Sequence, residues 1–149
     1  MITINQIKQL REETAISLAE CKKALEEANG DSQKAKEILK KLGKDLSNKK
    51  AGRGTEQGII ASYIHSNKKI GVLLELGCES DFVAKNEDFQ TLAHEICLQI
   101  TAMYCDDMDS LLRQPWIKDT AKTVGGLINE SIVRLGENIV LKKFIKYEI

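Results

Sequence analysis

The apolar residues of this chain change their period once, and that change constrains the fold more than any single motif does. Up to Gly43 they recur at helical spacing: Ile4, Ile7 and Leu10, then Leu18, Cys21, Leu25 and Ala28, then Ala35, Ile38, Leu39 and Leu42. From Gly58 the period drops to two, with Ile59, Ala61 and Tyr63 on one face and Ile60, Ser62 and Ile64 on the other. Helical spacing in one part and strict alternation in the next call for different layers. Between them, Lys44 to Gly58 is polar, glycine-containing and locally basic, and has neither period.

The first part carries its own punctuation. Thr3 with Gln6 reads as a capping box, each side chain satisfying a backbone N–H that a helix start leaves orphaned, and Ser17 with Glu20 repeats it. Gly30 can close the second helix in the left-handed conformation, Asp31 starts a third, and Gly43 follows its last apolar residue. Residues 1–44 are expected to form a tight three-helix bundle, small enough to be only marginally stable alone. Residues 45–57 read as a linker, or as a helix tail running into one. Gly52, Gly54 and Gly58 have some likeness to a phosphate-binding loop, but no strand precedes them and no G-K-[ST] follows, so a tether is the better reading.

Residues 58–149 read as one α+β unit. The turn Ser66-Asn67-Lys68-Lys69 joins the first strand to a second, in which Ile70, Val72, Leu74 and Leu76 face a core. Asn86 caps a long helix, with Glu87 and Asp88 in the first turn where the helix dipole favours them. Its inward stripe is Phe89, Leu92, Ala93, Ile96, Ile100 and Met103. A short helical turn around Leu111 and Leu112 precedes Pro115. A further helix from about Thr120 buries Val124, Leu127, Ile128, Ile132 and Leu135 and ends at Gly136. Asn138 to Tyr147 alternates Ile139, Leu141, Lys143, Ile145 and Tyr147 as a third strand. Segregated strands and helices imply helices on one face of a three-stranded antiparallel sheet. A sheet so small keeps exposed edges and one exposed face, which invites oligomerisation or partner binding.

Composition removes several function classes. In 149 residues Lys+Arg and Asp+Glu are equal at 22 each, so bulk attraction to nucleic acid or an anionic membrane is not the source of affinity. The apolar runs fall far short of a membrane helix. Charged residues from Lys8 to Glu20 exclude an uncharged signal-peptide core. Cys21, Cys78, Cys97 and Cys105 form no CxxC pair, so four reduced thiols in a cytoplasmic protein are expected. His65 and His94 have no nucleophile neighbour, and Asp106, Asp107 and Asp109 lack the glycine and terminal glutamate of an EF-hand loop. With no hydrolase, zinc or nucleotide fingerprint, the chain reads as an interaction protein and not an enzyme, with no cofactor or metal.

One segment stands apart. Between the second strand and the long helix, Cys78-Glu79-Ser80-Asp81-Phe82-Val83-Ala84-Lys85-Asn86 places Phe82 and Val83 where polar residues are usual. Phe82 either folds back onto the following helix as a hydrophobic staple or stands out as an aromatic anchor flanked by charge, and the residues alone leave both open.

Leu74 to Phe89, containing E-S-D-F-V, closely resembles the signature of the translation elongation factor Ts family, usually written T-D-F-V. Three further stretches match the same family in the same order: Ile7 to Glu12 with Cys21 to Asp31, then Gly58 to Leu76, then Leu135-Gly136-Glu137-Asn138-Ile139. The resemblance implies a ubiquitin-associated-like N-terminal bundle, an α+β core, and nucleotide exchange on the GTPase elongation factor Tu without covalent chemistry. It implies that Phe82 wedges between helices of the partner's nucleotide domain, that Asp81 fixes the contact, and that Ser80 and Val83 shape the loop. Arg11, Leu18 and Ala19 would make a second contact through the turn before the second helix.

Departures from the family pattern are local. Ser80 keeps the hydroxyl of the usual threonine. Ala15-Ile16-Ser17-Leu18-Ala19 replaces a turn rich in glycine and methionine. Cys105 to Ser110 bridge directly to Leu111, a much shorter connection than the family's usual one, and the second core subdomain and coiled coil of long members are lacking. Short members pair two chains, so a homodimer through the core sheet is expected. Two other readings stand beside exchange: a ubiquitin-associated-like adaptor without effect on nucleotide release, and a weak RNA- or ribosome-binding protein using Lys49, Lys50 and Arg53.

Overall fold

The computed structural model describes residues 1–149. Helices α1 (Ile4–Thr14), α2 (Leu18–Glu27) and α3 (Ser32–Lys50) pack on one another around Leu10, Cys21, Leu25, Ala35 and Leu39. Both halves of the first capping box are made: Thr3 Oγ1 accepts from the Gln6 N–H and Gln6 Oε1 accepts from the Thr3 N–H. Only the Ser17 half of the second forms, its hydroxyl accepting from the Glu20 N–H.

Helix α3 does not stop at Gly43. It runs through that residue to Lys50, so the first part of the segment read as linker is helical. The cause is tertiary and not periodic. This end of α3 lies along α7 (Val124–Leu135), where Ser47 is buried and its Oγ donates to the Asn129 carbonyl. Val133 of α7 in turn packs against the bundle's core.

Strands β1 (Gln57–Ile64), β2 (Ile70–Cys78) and β5 (Ile139–Glu148) form the antiparallel sheet in the order β1-β2-β5. Gly58 is required where β1 enters it: its φ is 150°, and a Cβ there would sit 2.2 Å from the Leu76 carbonyl oxygen. Helices α5 (Glu87–Ala102) and α7 cover one face, burying Phe89, Ile96, Ile100, Val124, Ile128 and Ile132 against Val72, Leu74, Leu76, Ile139 and Leu141. This is an α+β fold. Helices α4 (Asp81–Ala84) and α6 (Met108–Arg113) are short. No helix is long and apolar enough to cross a membrane.

Three expectations need correcting. Met103 is exposed and extended, because α5 ends at Ala102. The last helix does not begin near Thr120: residues Asp119–Thr123 are strand β4, paired with β3 (Pro115–Trp116), and Thr123 caps α7 by accepting from the Gly126 N–H. The buried Gln99 holds this hairpin, donating to Gln114 Oε1 and the Pro115 carbonyl and accepting from the Ile117 N–H.

The third correction concerns β5. Leu76 pairs with Leu141 but Glu75 with Lys143, leaving Lys142 as a bulge. A bulge inserts one residue and reverses the alternation beyond it. Ile145 and Tyr147 therefore face away from the helices instead of sharing the side of Ile139 and Leu141. With Ile60, Ile64 and Leu73 they make an apolar outer face, around a cavity of about 320 Å³ bordered by Ile64, Gly71, Leu73 and Tyr147.

Candidate partner-binding site

The segment between β2 and α5 is built outward from the sheet. Cys78 ends β2 opposite Ile139, and its thiol donates to the Ser80 carbonyl. Burial, and then the negative charge of Glu137, push that thiol's pKa up. Ser80 caps α4, its Oγ accepting from the Val83 N–H at 3.2 Å. One helical turn then divides its residues cleanly. Val83 and Ala84 enter the core, while Phe82 points outward and is 83% exposed. Phe82 does not fold back as a staple. Asp81 is also exposed and pairs with Lys85 across 2.9 Å, and the hydrogen bond from Lys85 to Asp81 raises the lysine's pKa.

Ser80 is fixed by a residue far away in sequence. Glu137 Oε1 accepts from the Glu79 N–H at 3.2 Å and the Ser80 N–H at 2.9 Å, while its Oε2 accepts from Ser80 Oγ at 2.6 Å. In return Glu79 Oε2 accepts from the Asn138 N–H at 2.9 Å. Asn138 Nδ2 reaches on to the carbonyls of Arg53 and Ala51, and Lys50 Nζ donates to the Gly136 carbonyl. The stretch after α3 is thus pinned to the start of β5. Local reading of the sequence missed Glu137 and Asn138 as part of this site, although both lie in a stretch matching the family pattern.

The second group lies on the bundle. Leu18 and Ala19, exposed at the start of α2, form with Ile4, Ile7, Lys8 and Lys22 a cleft of about 260 Å³ between α1 and α2. Arg11 is exposed in the last turn of α1 but does not line this cleft. The turn between the helices places Ala15 at φ 62°, a left-handed position that a glycine fills with less strain. No group of three or more His, Cys, Asp or Glu side chains is placed to hold a metal ion.

Comparison with known proteins gives a consistent answer. The family described as Elongation factor TS matches residues 79–149, which contain both the Phe82 turn and the Glu137 clamp. Over nearly the full chain, the protein is 38% identical to the elongation factor Ts of Coprothermobacter proteolyticus, covering 99% of this chain and 98% of that one. It is 37% identical to that of Moorella thermoacetica, covering 100% and 96%, and 40% identical to that of Thermotoga maritima, covering 99% and 96%. The alignments run over 191 to 194 positions against a chain of 149 residues, so each relative carries positions with no counterpart here. The chain belongs to the elongation factor Ts family.

Proposed function

We propose that this chain is a guanine nucleotide exchange factor of translation elongation, acting in the cytoplasm on elongation factor Tu in its GDP form. The observation that carries the reading is Phe82: a large aromatic ring 83% exposed on a turn whose neighbours on both sides are anchored. An exposed aromatic on a fixed base binds at low entropic cost. Wedged between helices of the partner's nucleotide domain, it would displace the groups that hold Mg²⁺, and Mg²⁺ is what neutralises and anchors the phosphates of bound GDP. Asp81 would fix the contact from the same turn, while Ser80 and Val83 give the turn its shape. By linkage, the factor and GDP weaken each other's binding by the same ratio.

With α3 running to Lys50 and β1 starting at Gln57, the expected bundle at 1–44 extends into the connector read at 45–57, and bundle and core together would give the protein two footholds. The α1–α2 cleft at Leu18 and Ala19, with Arg11 nearby, would take the second contact on the same partner, raising the effective concentration of Phe82 at its target. The outer sheet face supports pairing of two chains into a homodimer. Neither nucleic acid nor membrane is needed for this activity, and no bond is made or broken.

The test is release of fluorescent GDP from elongation factor Tu, with the wild-type chain and with Phe82→Ala. Acceleration by the first and its loss in the second, at unchanged thermal stability, is the expected result. Equal acceleration by both would sink the wedge. No acceleration by either would leave the family fold serving as an adaptor.

A further inference from the structure

We infer that Glu137 is a positioning residue for Phe82: its carboxylate holds the one-turn helix that carries the ring, so that contact with a partner moves the partner's helices and not the turn. The inference rests on the exchange reading above. Helix α4 spans four residues, too few to hold itself together, because a first helical turn costs more order than its bonds return. What holds it comes from outside.

Glu137 accepts three hydrogen bonds from two consecutive residues, Glu79 and Ser80. The third comes from the same hydroxyl that accepts from the Val83 N–H, so the negative charge acts along a chain from Glu137 through Ser80 Oγ to the N–H of the residue after Phe82. Ionised acceptors make shorter and stronger bonds, and donation to one polarises the hydroxyl into a better acceptor in turn. The return bond from the Asn138 N–H to Glu79 Oε2 locks the two segments reciprocally. On either side of Glu137, the Gly136 carbonyl accepts from Lys50 Nζ, and Asn138 Nδ2 donates to the carbonyls of Ala51 and Arg53. The base of the Phe82 turn and the connector from the bundle are thus fastened to the same three residues.

Glu137→Gln tests this, since it keeps the shape but replaces an acceptor oxygen by an NH₂ group facing donors. Three quantities decide it in the full-length chain: amide hydrogen exchange at Ser80 and Val83, stimulation of GDP release from elongation factor Tu, and affinity for that partner. The expected result is faster exchange at both amides and stimulation lower by about tenfold, the scale of one charge-assisted hydrogen bond. Affinity should change less than stimulation does, because the bundle contact is untouched. In a Phe82→Ala background, Glu137→Gln should cause no further loss of affinity for that partner, because both changes act through the same ring. Unchanged amide exchange with full stimulation would overturn the assignment. So would a loss of affinity that adds to that of Phe82→Ala, since it would show a general structural role. A wild-type chain that fails to stimulate release overturns the exchange reading and this role in it, and amide exchange then reports separately whether Glu137 clamps the turn.

Discussion

Leu141 and Phe144 stand three residues apart on one strand and yet pack into the same core, because Lys142 between them is a bulge. Leu141 lies opposite Leu76 and Phe144 opposite Leu74, and Lys146 follows on the same side, its Nζ donating to the Thr101 carbonyl. Phe144→Ala should lower stability by about 2–3 kcal/mol, below the range for a fully buried phenylalanine because the ring is only partly covered. Urea unfolding measures this, and the loss should be the same at every protein concentration. Ile145→Ala, one residue on, should act only at concentrations where chains associate.

Ala15 occupies a backbone position better suited to glycine. Left-handed φ costs an L-residue about 1–2 kcal/mol, and the extra freedom of an unfolded glycine takes back about 0.4–1 kcal/mol. Ala15→Gly should therefore stabilise the chain by roughly 0.5–1 kcal/mol. Thermal unfolding is the measurement, and a lower midpoint would show that the Ala15 methyl contributes contacts exceeding its strain.

The thiols set a limit at high pH. Burial pushes the Cys97 thiol from its ordinary 9.0 to about 11, and burial also raises Cys21, Cys78 and Cys105. A folded-state pKa above the unfolded one means the unfolded chain loses its proton first. The stabilisation is complete below about pH 9 and is lost as pH rises toward 11. Urea midpoints should be flat with respect to these thiols up to pH 9 and fall beyond it. At pH 8 a thiol reagent should modify Cys105 first, since it alone is not fully buried, and the other three only on unfolding.

What was legible in the sequence was local. The Thr3–Gln6 box and the caps at Ser17, Asp31 and Asn86 lie within a turn of the groups they satisfy, and all four form. The stripe of α5 is readable up to Ile100 because it faces a single surface. What failed or stayed open depended on a distant partner. The extension of α3 rests on Ser47 meeting Asn129, and the β3–β4 hairpin rests on Gln99, a buried polar residue that no apolar pattern marks. The bulge at Lys142 was hidden because alternation through Ile145 and Tyr147 is as regular as the true pattern through Phe144. The exposure of Phe82 was open for the same reason: its direction follows from Glu137 holding Ser80, residues far apart in the chain.

The outer sheet face yields the last expectation. Ser62, Leu73 and Ile145 form one cross-strand row, Ile64, Gly71 and Tyr147 the next, and Ile60 flanks Glu75 and Lys143 in a third. Two adjacent rows are thus apolar apart from Ser62, and the third ends in an ion pair between Lys143 and Glu75 at 3.7 Å. Folded chains rarely leave such a patch in water, and a two-fold axis through it would bury every residue twice. Leu73→Glu would then place two carboxylates into one dry contact, where like charges cost several kcal/mol each to desolvate. At micromolar concentration, sedimentation should give a dimer mass for the wild type and a monomer mass for Leu73→Glu, whose circular dichroism stays unchanged. A monomeric wild type would refute pairing through the sheet, and a Leu73→Glu chain that stays dimeric would move the contact to another surface.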